Sequence, residues 1–75
     1  MARGNTEKYI GVLLNGGMLD QKTRGFIKDL IYKTAQKVER KKGPRYTKLD
    51  LSAALGIDRN RLNRLMVALE IIDLF

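Results

Sequence analysis

The segment from Thr47 to Val67 constrains the fold of this chain more than any other part of its 75 residues. Its sequence, TKLDLSAALGIDRNRLNRLMV, predicts two short helices joined by a tight turn. Gly56 ends the first helix where a left-handed residue is needed, because glycine adopts a positive φ at little steric cost. Ile57 then fills the space between the helices, and Asp58 can cap the second one. The pattern is that of a helix-turn-helix.

The first of these helices has its own start signal. Thr47 is the predicted N-cap, and Asp50 three residues later completes a T-x-x-D arrangement close to a capping box. Ser52 is short enough to let the second helix approach closely. These local signals place the helix at Thr47–Leu55.

The second helix, from Asp58 or Arg59 to about Glu70, divides into an apolar side and a polar side. Its inward residues recur at helical spacing: Leu62, Leu65, Met66 and Leu69. Its outward residues are Arg59, Asn60, Asn63 and Val67, with Arg61 and Arg64 flanking them. Arginine suits guanine and asparagine suits adenine in the major groove, so this side is chemically fit to read base pairs.

Two further helices are predicted before this motif. The first runs from Asn5 or Thr6 to Leu14, and the second runs from Met18 or Asp20 to about Lys42. The apolar stripe of the longer helix is wider than so small a domain is expected to cover alone. It packs either on the other helices of this chain or, in the interpretation we favour, partly on a second copy. The residues assigned to this dimer interface are Leu19, Phe26, Ile27, Leu30, Ile31 and Val38.

The net charge of +7 is concentrated in one stretch of the sequence. Ten of the fifteen basic residues but only three of the eight acidic ones lie between Lys33 and Arg64, which leaves the remainder neutral. A basic run alone commonly marks a solvated surface, but this one flanks a motif with its own geometry, which favours a polyanion partner. The residues predicted to hold phosphates are Lys41, Lys42, Arg45, Thr47, Lys48 and Arg64. Those predicted to read base edges are Arg59, Asn60, Arg61 and Asn63.

Composition argues against several classes of function. The chain has no cysteine and no histidine, which removes thiol catalysis, disulfides, most zinc sites and the commonest general base. No two carboxylates form an evident catalytic pair, so we expect no enzyme, no metal or other cofactor and no small-molecule ligand. No apolar run approaches the roughly 20 residues that span a bilayer, and the first residues lack the apolar core of a secretory signal. We therefore expect a cytoplasmic protein.

The segment Leu55–Met66, LGIDRNRLNRLM, resembles the Fis-type helix-turn-helix family, which includes a small nucleoid protein and the C-terminal domains of NtrC-like regulators. The family pattern is roughly LGI, a capping residue, RNTL, then basic residues and leucine. The resemblance implies a single all-α domain of four helices. It also implies a homodimer built from residues 5–42, with a helix-turn-helix at residues 47–70 whose last helix enters the major groove.

The resemblance also assigns roles to individual residues. Arg59 matches the arginine that contacts bases and phosphates in this family, and Asn60, Arg61, Asn63 and Arg64 match the polar positions that follow it. Thr47 and Lys48 match the start of the preceding helix, which meets the DNA backbone.

The chain departs from the family pattern at several positions. Arg61 replaces a common threonine, and Leu65 and Val67 stand where many members have lysine. Glu70 replaces the usual glycine after the last helix, which predicts that this helix continues as far as Leu74.

The preferred interpretation is a transcriptional regulator or nucleoid-associated protein that binds double-stranded DNA as a homodimer. Two alternatives remain. One is a winged-helix domain, because LMVALEIIDLF resembles the last helix of such domains followed by a strand. The other is a helical protein-interaction module whose basic face binds an acidic partner. The apolar end, residues 71–75, either folds back on the core or marks the boundary of a longer protein.

Overall fold

The computed structural model describes the chain from Arg3 to Phe75, and its side chains from Thr6 onward. Four helices make up this part of the chain: α1 (Arg3–Leu14), α2 (Gln21–Lys42), α3 (Lys48–Leu55) and α4 (Arg59–Ala68). No strand occurs between Arg3 and Phe75, which confirms the all-α prediction. α1 begins at Arg3, so the start predicted at Asn5 or Thr6 is wrong. Within the same range, no helix is long and apolar enough to cross a membrane.

The helices enclose one hydrophobic core. α1 packs on α2 and α4, and α3 packs on the same two helices from its own side. The buried apolar side chains come from all four helices and from the segment after α4: Leu13, Ile27, Ile31, Ala35, Val38, Leu51, Leu62, Leu65, Met66, Leu69 and Ile71. The predicted inward side of α4 is thereby confirmed.

The apolar stripe of α2 is largely covered by the chain itself. Ile27, Ile31 and Val38 were assigned to a dimer interface, but all three are buried in the core of the single chain. Their assignment is wrong because the chain's other helices already exclude water from that side of α2. Leu30 is only half-buried and Phe26 is 37% exposed, so a narrower apolar edge of α2 remains uncovered.

Three helices, α1, α3 and α4, end in the same hydrogen-bonded turn, the Schellman motif, which at the end of α1 is formed by the N–H groups of Gly16 and Gly17. After α3, Gly56 has a φ of 74° and donates its N–H to Ala53 O, and the next N–H, that of Ile57, donates to Ser52 O. After α4, the N–H groups of Glu70 and Ile71 make the equivalent bonds, and Glu70 has a φ of 58°.

The end of α4 therefore differs from the sequence-based expectation. The helix stops at Ala68 rather than continuing to Leu74. The reason is packing: the turn at Glu70 carries Ile71 into the core, where it is 3% exposed. Arg24 of α2 also donates a guanidinium N–H to Ala68 O over 2.9 Å, which satisfies a carbonyl that the helix leaves free.

The backbone of Glu70 gives a direct test of this turn. A residue with a β-carbon is strained at positive φ, so Glu70→Gly should raise the free energy of unfolding by about 1 kcal/mol. Glu7→Gly is the matched control, because it places glycine inside α1 and should lower that free energy by a similar amount. Urea unfolding of both variants measures whether each substitution raises or lowers the free energy of unfolding. A destabilised Glu70→Gly protein would contradict the left-handed turn.

The segment after α4 folds back onto the helices. The Tyr32 hydroxyl of α2 donates to the Asp73 carboxylate, and this bond to a negative group raises the pKa of Tyr32. The Phe75 ring meets the Tyr46 ring edge-on, with 5.2 Å between the ring centres. Residues 69–75 contain no strand, so the winged-helix alternative finds no support in this segment.

Candidate nucleic-acid interface

The N-terminus of α3 is fixed by a complete capping box. Asp50 donates its backbone N–H to the Thr47 hydroxyl over 3.2 Å, and Thr47 donates its own backbone N–H to the Asp50 carboxylate over 2.9 Å. This confirms the T-x-x-D prediction. The hydrogen bond from the Thr47 backbone, helped by the Thr47 hydroxyl and the nearby Lys42 charge, lowers the pKa of Asp50 from its ordinary value of 3.8.

The lowered pKa of Asp50 makes the capping box sensitive to acid. A depressed folded-state pKa contributes stability that is present above the unfolded-state value and is lost as the pH falls through the folded-state value. Asp50→Asn should therefore be less stable than the wild type at neutral pH, and the difference should disappear at about pH 2. Urea unfolding at both pH values checks this. A difference that persists in acid would show that the Asp50 charge is not its cause.

The start of α4 presents two polar side chains to solvent. Asp58 caps the helix by accepting the Arg61 backbone N–H over 2.7 Å, as predicted. The same carboxylate pairs with the Arg61 side chain, with 3.7 Å from Nε to Oδ2. Arg59 and Asn60 are exposed, and neither side chain has a hydrogen-bond or ion-pair partner among residues 6–75. Among residues 6–75, Arg59 therefore forms no surface ion pair with Asp58 or Glu70.

The middle of α4 lies beside the start of α3. Lys48, Asn63 and Val67 line one cavity of about 390 Å³, together with Met66 and residues 71, 72 and 75. The Lys48 Nζ lies 6.0 Å from the centre of the Phe75 ring. The structure thus brings together a cation predicted to hold phosphate and an amide predicted to read bases.

The basic last turn of α2 and the linker that follows it lead to the same helix start. Lys41, Lys42 and Arg45 are exposed, and Lys42 is close enough to Asp50 to influence its pKa. Tyr46 in this linker is half-buried; burial, with the Glu39 charge, raises its pKa. Lys42, at the end of α2, is therefore held next to the capped start of α3.

Two of the predicted contact residues lie on another side of α4. Arg61 and Arg64 line a cavity of about 370 Å³ against α1, where Glu7, Ile10 and Leu14 form the opposite wall. Arg64 also donates a guanidinium N–H to Leu14 O at the end of α1. Arg61 is not grouped with Lys48 and Asn63, whereas Arg64 also lines a second cavity of about 400 Å³ with Asn63 and Val67.

Val67 and the segment around Phe75 border the candidate site. The sequence placed Val67 on the outward side of α4 but assigned it no role in binding, and it assigned none to the segment around Phe75. The sequence signal that could have identified Val67 as a site residue is its position as an apolar residue on a basic, amide-rich face of the helix. No signal in the sequence placed Phe75 beside Lys48, because that contact depends on how the last residues fold back.

The described residues hold no cluster of three or more histidine, cysteine, aspartate or glutamate side chains that could bind a metal. The side chains that the candidate site offers are cations, amides and one exposed valine. The chain matches no protein-family model, and no curated protein or solved structure is significantly similar to it.

Proposed function

We propose that this domain binds double-stranded DNA in a sequence-directed manner, as a helix-turn-helix whose α4 enters the major groove. The observation that supports this most is the pair of unpartnered side chains, Arg59 and Asn60, at the exposed start of α4. In helix-turn-helix complexes, that end of the second helix contacts base edges. The left-handed turn at Glu70 adds support, since the family that the sequence resembles has glycine there.

The proposed contacts fall into two groups. Arg59, Asn60 and Asn63 read base edges, because guanidinium and amide groups match guanine and adenine edges respectively. Phosphates are held around the start of α3 by residues that position the domain without specifying sequence: Lys41, Lys42, Arg45, Thr47 and Lys48. In this proposal Arg61 and Arg64 pack α4 on α1, and Arg64 also caps the end of α1.

We further propose that the domain acts as a homodimer through the uncovered edge of α2. Phe26 and Leu30 line a groove of about 400 Å³ with Ile10, Leu55 and Ile57, all of them partly exposed in the single chain. Burying this groove against a second copy would remove apolar surface from water. Dimers of this kind bind two half-sites about one helical turn of DNA apart.

Binding to duplex DNA as a function of salt tests the proposal. Fluorescence anisotropy with a pool of random duplexes should give a complex at low salt that weakens steeply as salt rises. Selection from the same pool should then enrich a palindromic sequence. The absence of any complex at low salt would contradict DNA binding and favour the protein-interaction module.

Phosphate contacts can be separated from base contacts by mutation. Lys42→Ala or Arg45→Ala should weaken binding to all sequences alike and reduce the slope of log affinity against log salt by about one unit each. Lys22→Ala, an exposed lysine at the start of α2, is the matched control and should leave the slope unchanged. If Lys42→Ala or Arg45→Ala changed the preferred sequence, that residue would not be a backbone contact.

A further inference from the structure

Val67 is an apolar residue on a polar face of α4. Its side chain is 80% exposed, whereas Leu62, Leu65 and Met66 of the same helix are buried. It follows Asn63 by four residues, so the two side chains are neighbours on the helix surface. The fold gains little from a valine here, because β-branched residues have low helix propensity and this one buries little surface.

The surroundings of Val67 define the kind of ligand that would fit. The cavity that it shares with Lys48 and Asn63 combines an ammonium, an amide and the two valine methyl groups. A ligand that satisfies all three groups carries an anion, a hydrogen-bonding edge and an apolar group within a few ångströms of one another. The major groove offers this set beside the phosphates, where the C5-methyl group of thymine is the apolar element.

We infer that Val67 contacts the C5-methyl group of a thymine next to the base that Asn63 reads. This inference rests on the proposed function and adds a prediction about the DNA sequence. Asn63 is suited to adenine and Val67 to thymine, whereas Arg59 at the start of α4 is suited to guanine. Each half-site should therefore contain a guanine under the start of α4 and an A·T-rich step under its middle.

Replacing thymine by deoxyuridine tests this directly, because the exchange removes the methyl group and leaves the base pairing intact. The parent is the duplex that the wild type binds best in the selection. Each of its thymines is replaced by deoxyuridine in turn, and the dissociation constant of each resulting duplex is measured. Exchange of one particular thymine in each half-site should weaken binding of the wild type about fourfold, because that is the value of one buried methyl-sized group.

The variant protein completes the comparison. Val67→Ala should bind the parent duplex about fourfold more weakly than the wild type does, and it should bind the thymine and deoxyuridine duplexes equally. Met18→Ala is the control, because Met18 is 88% exposed and lies outside α4; this variant should keep the wild-type preference for thymine.

Two outcomes would overturn the inference while leaving the proposed function in place. One is a wild type that still selects its sequence but tolerates deoxyuridine at every position. The other is a Val67→Ala protein that remains sensitive to the same thymine. A wild type that binds no duplex at low salt would overturn both the inference and the proposed function.

Discussion

Arg59→Ala should abolish most of the preference for the selected DNA sequence while leaving the fold intact. The guanidinium of Arg59 can make two parallel hydrogen bonds to a guanine, which contribute about 1–3 kcal/mol of discrimination, or about 5- to 150-fold in affinity. The side chain is exposed and has no partner among residues 6–75, so its removal should not change the melting temperature. The affinity for the selected duplex should fall toward the wild-type affinity for random DNA.

Arg61→Ala is the matched control for this experiment. It removes the same side chain two residues later, but Arg61 pairs with Asp58 and lines the cavity against α1. Because exposed ion pairs contribute little, at most about 1 kcal/mol, this variant should stay folded and keep the sequence preference. An Arg59→Ala protein that distinguishes selected from scrambled DNA as well as the wild type does would refute the role of Arg59.

Ile27→Asp should unfold the domain. Ile27 is 0% exposed, and a carboxylate there has no cationic partner in the apolar core. Burying an unpaired charge costs several kcal/mol, whereas a domain of 75 residues has a total stability of roughly 4–11 kcal/mol. Circular dichroism should show loss of most helical signal at room temperature.

Phe26→Asp separates dimerisation from folding. It introduces the same charge one residue earlier, on the uncovered edge of α2, where water can still reach the carboxylate. An interface that included Ile27, as the sequence predicts, implies that a charge there would remove dimer and fold together. The structure changes this expectation, because the core is closed within one chain.

Phe26→Asp should therefore remain helical and have the mass of a monomer. Light scattering at micromolar concentration measures the mass, and the wild type should be a dimer under the same conditions. A monomeric wild type would contradict the homodimer. A dimeric Phe26→Asp protein would show that the groove around Phe26 is not the interface.

The sequence alone determined the number of helices and most of their ends. The capping box of Thr47 and Asp50, the cap at Asp58 and the left-handed Gly56 were all predicted and confirmed. Each is an interaction between residues that are at most a few positions apart, so it is encoded locally and does not depend on the rest of the chain. The same is true of the buried side of α4, where the spacing of Leu62 and Leu65 follows from the helix period.

The tertiary structure alone decided what covers each surface. Helical periodicity showed that α2 has an apolar stripe, but it could not show that Ile27 is buried within the chain while Phe26 is left at the edge. Arg64 also donates a hydrogen bond to Leu14 O, 50 positions away, and no local pattern predicted that contact. Glu70 takes a left-handed conformation against its local preference because burying Ile71 outweighs the strain. These outcomes depend on the packing of segments distant in sequence, which local signals do not encode.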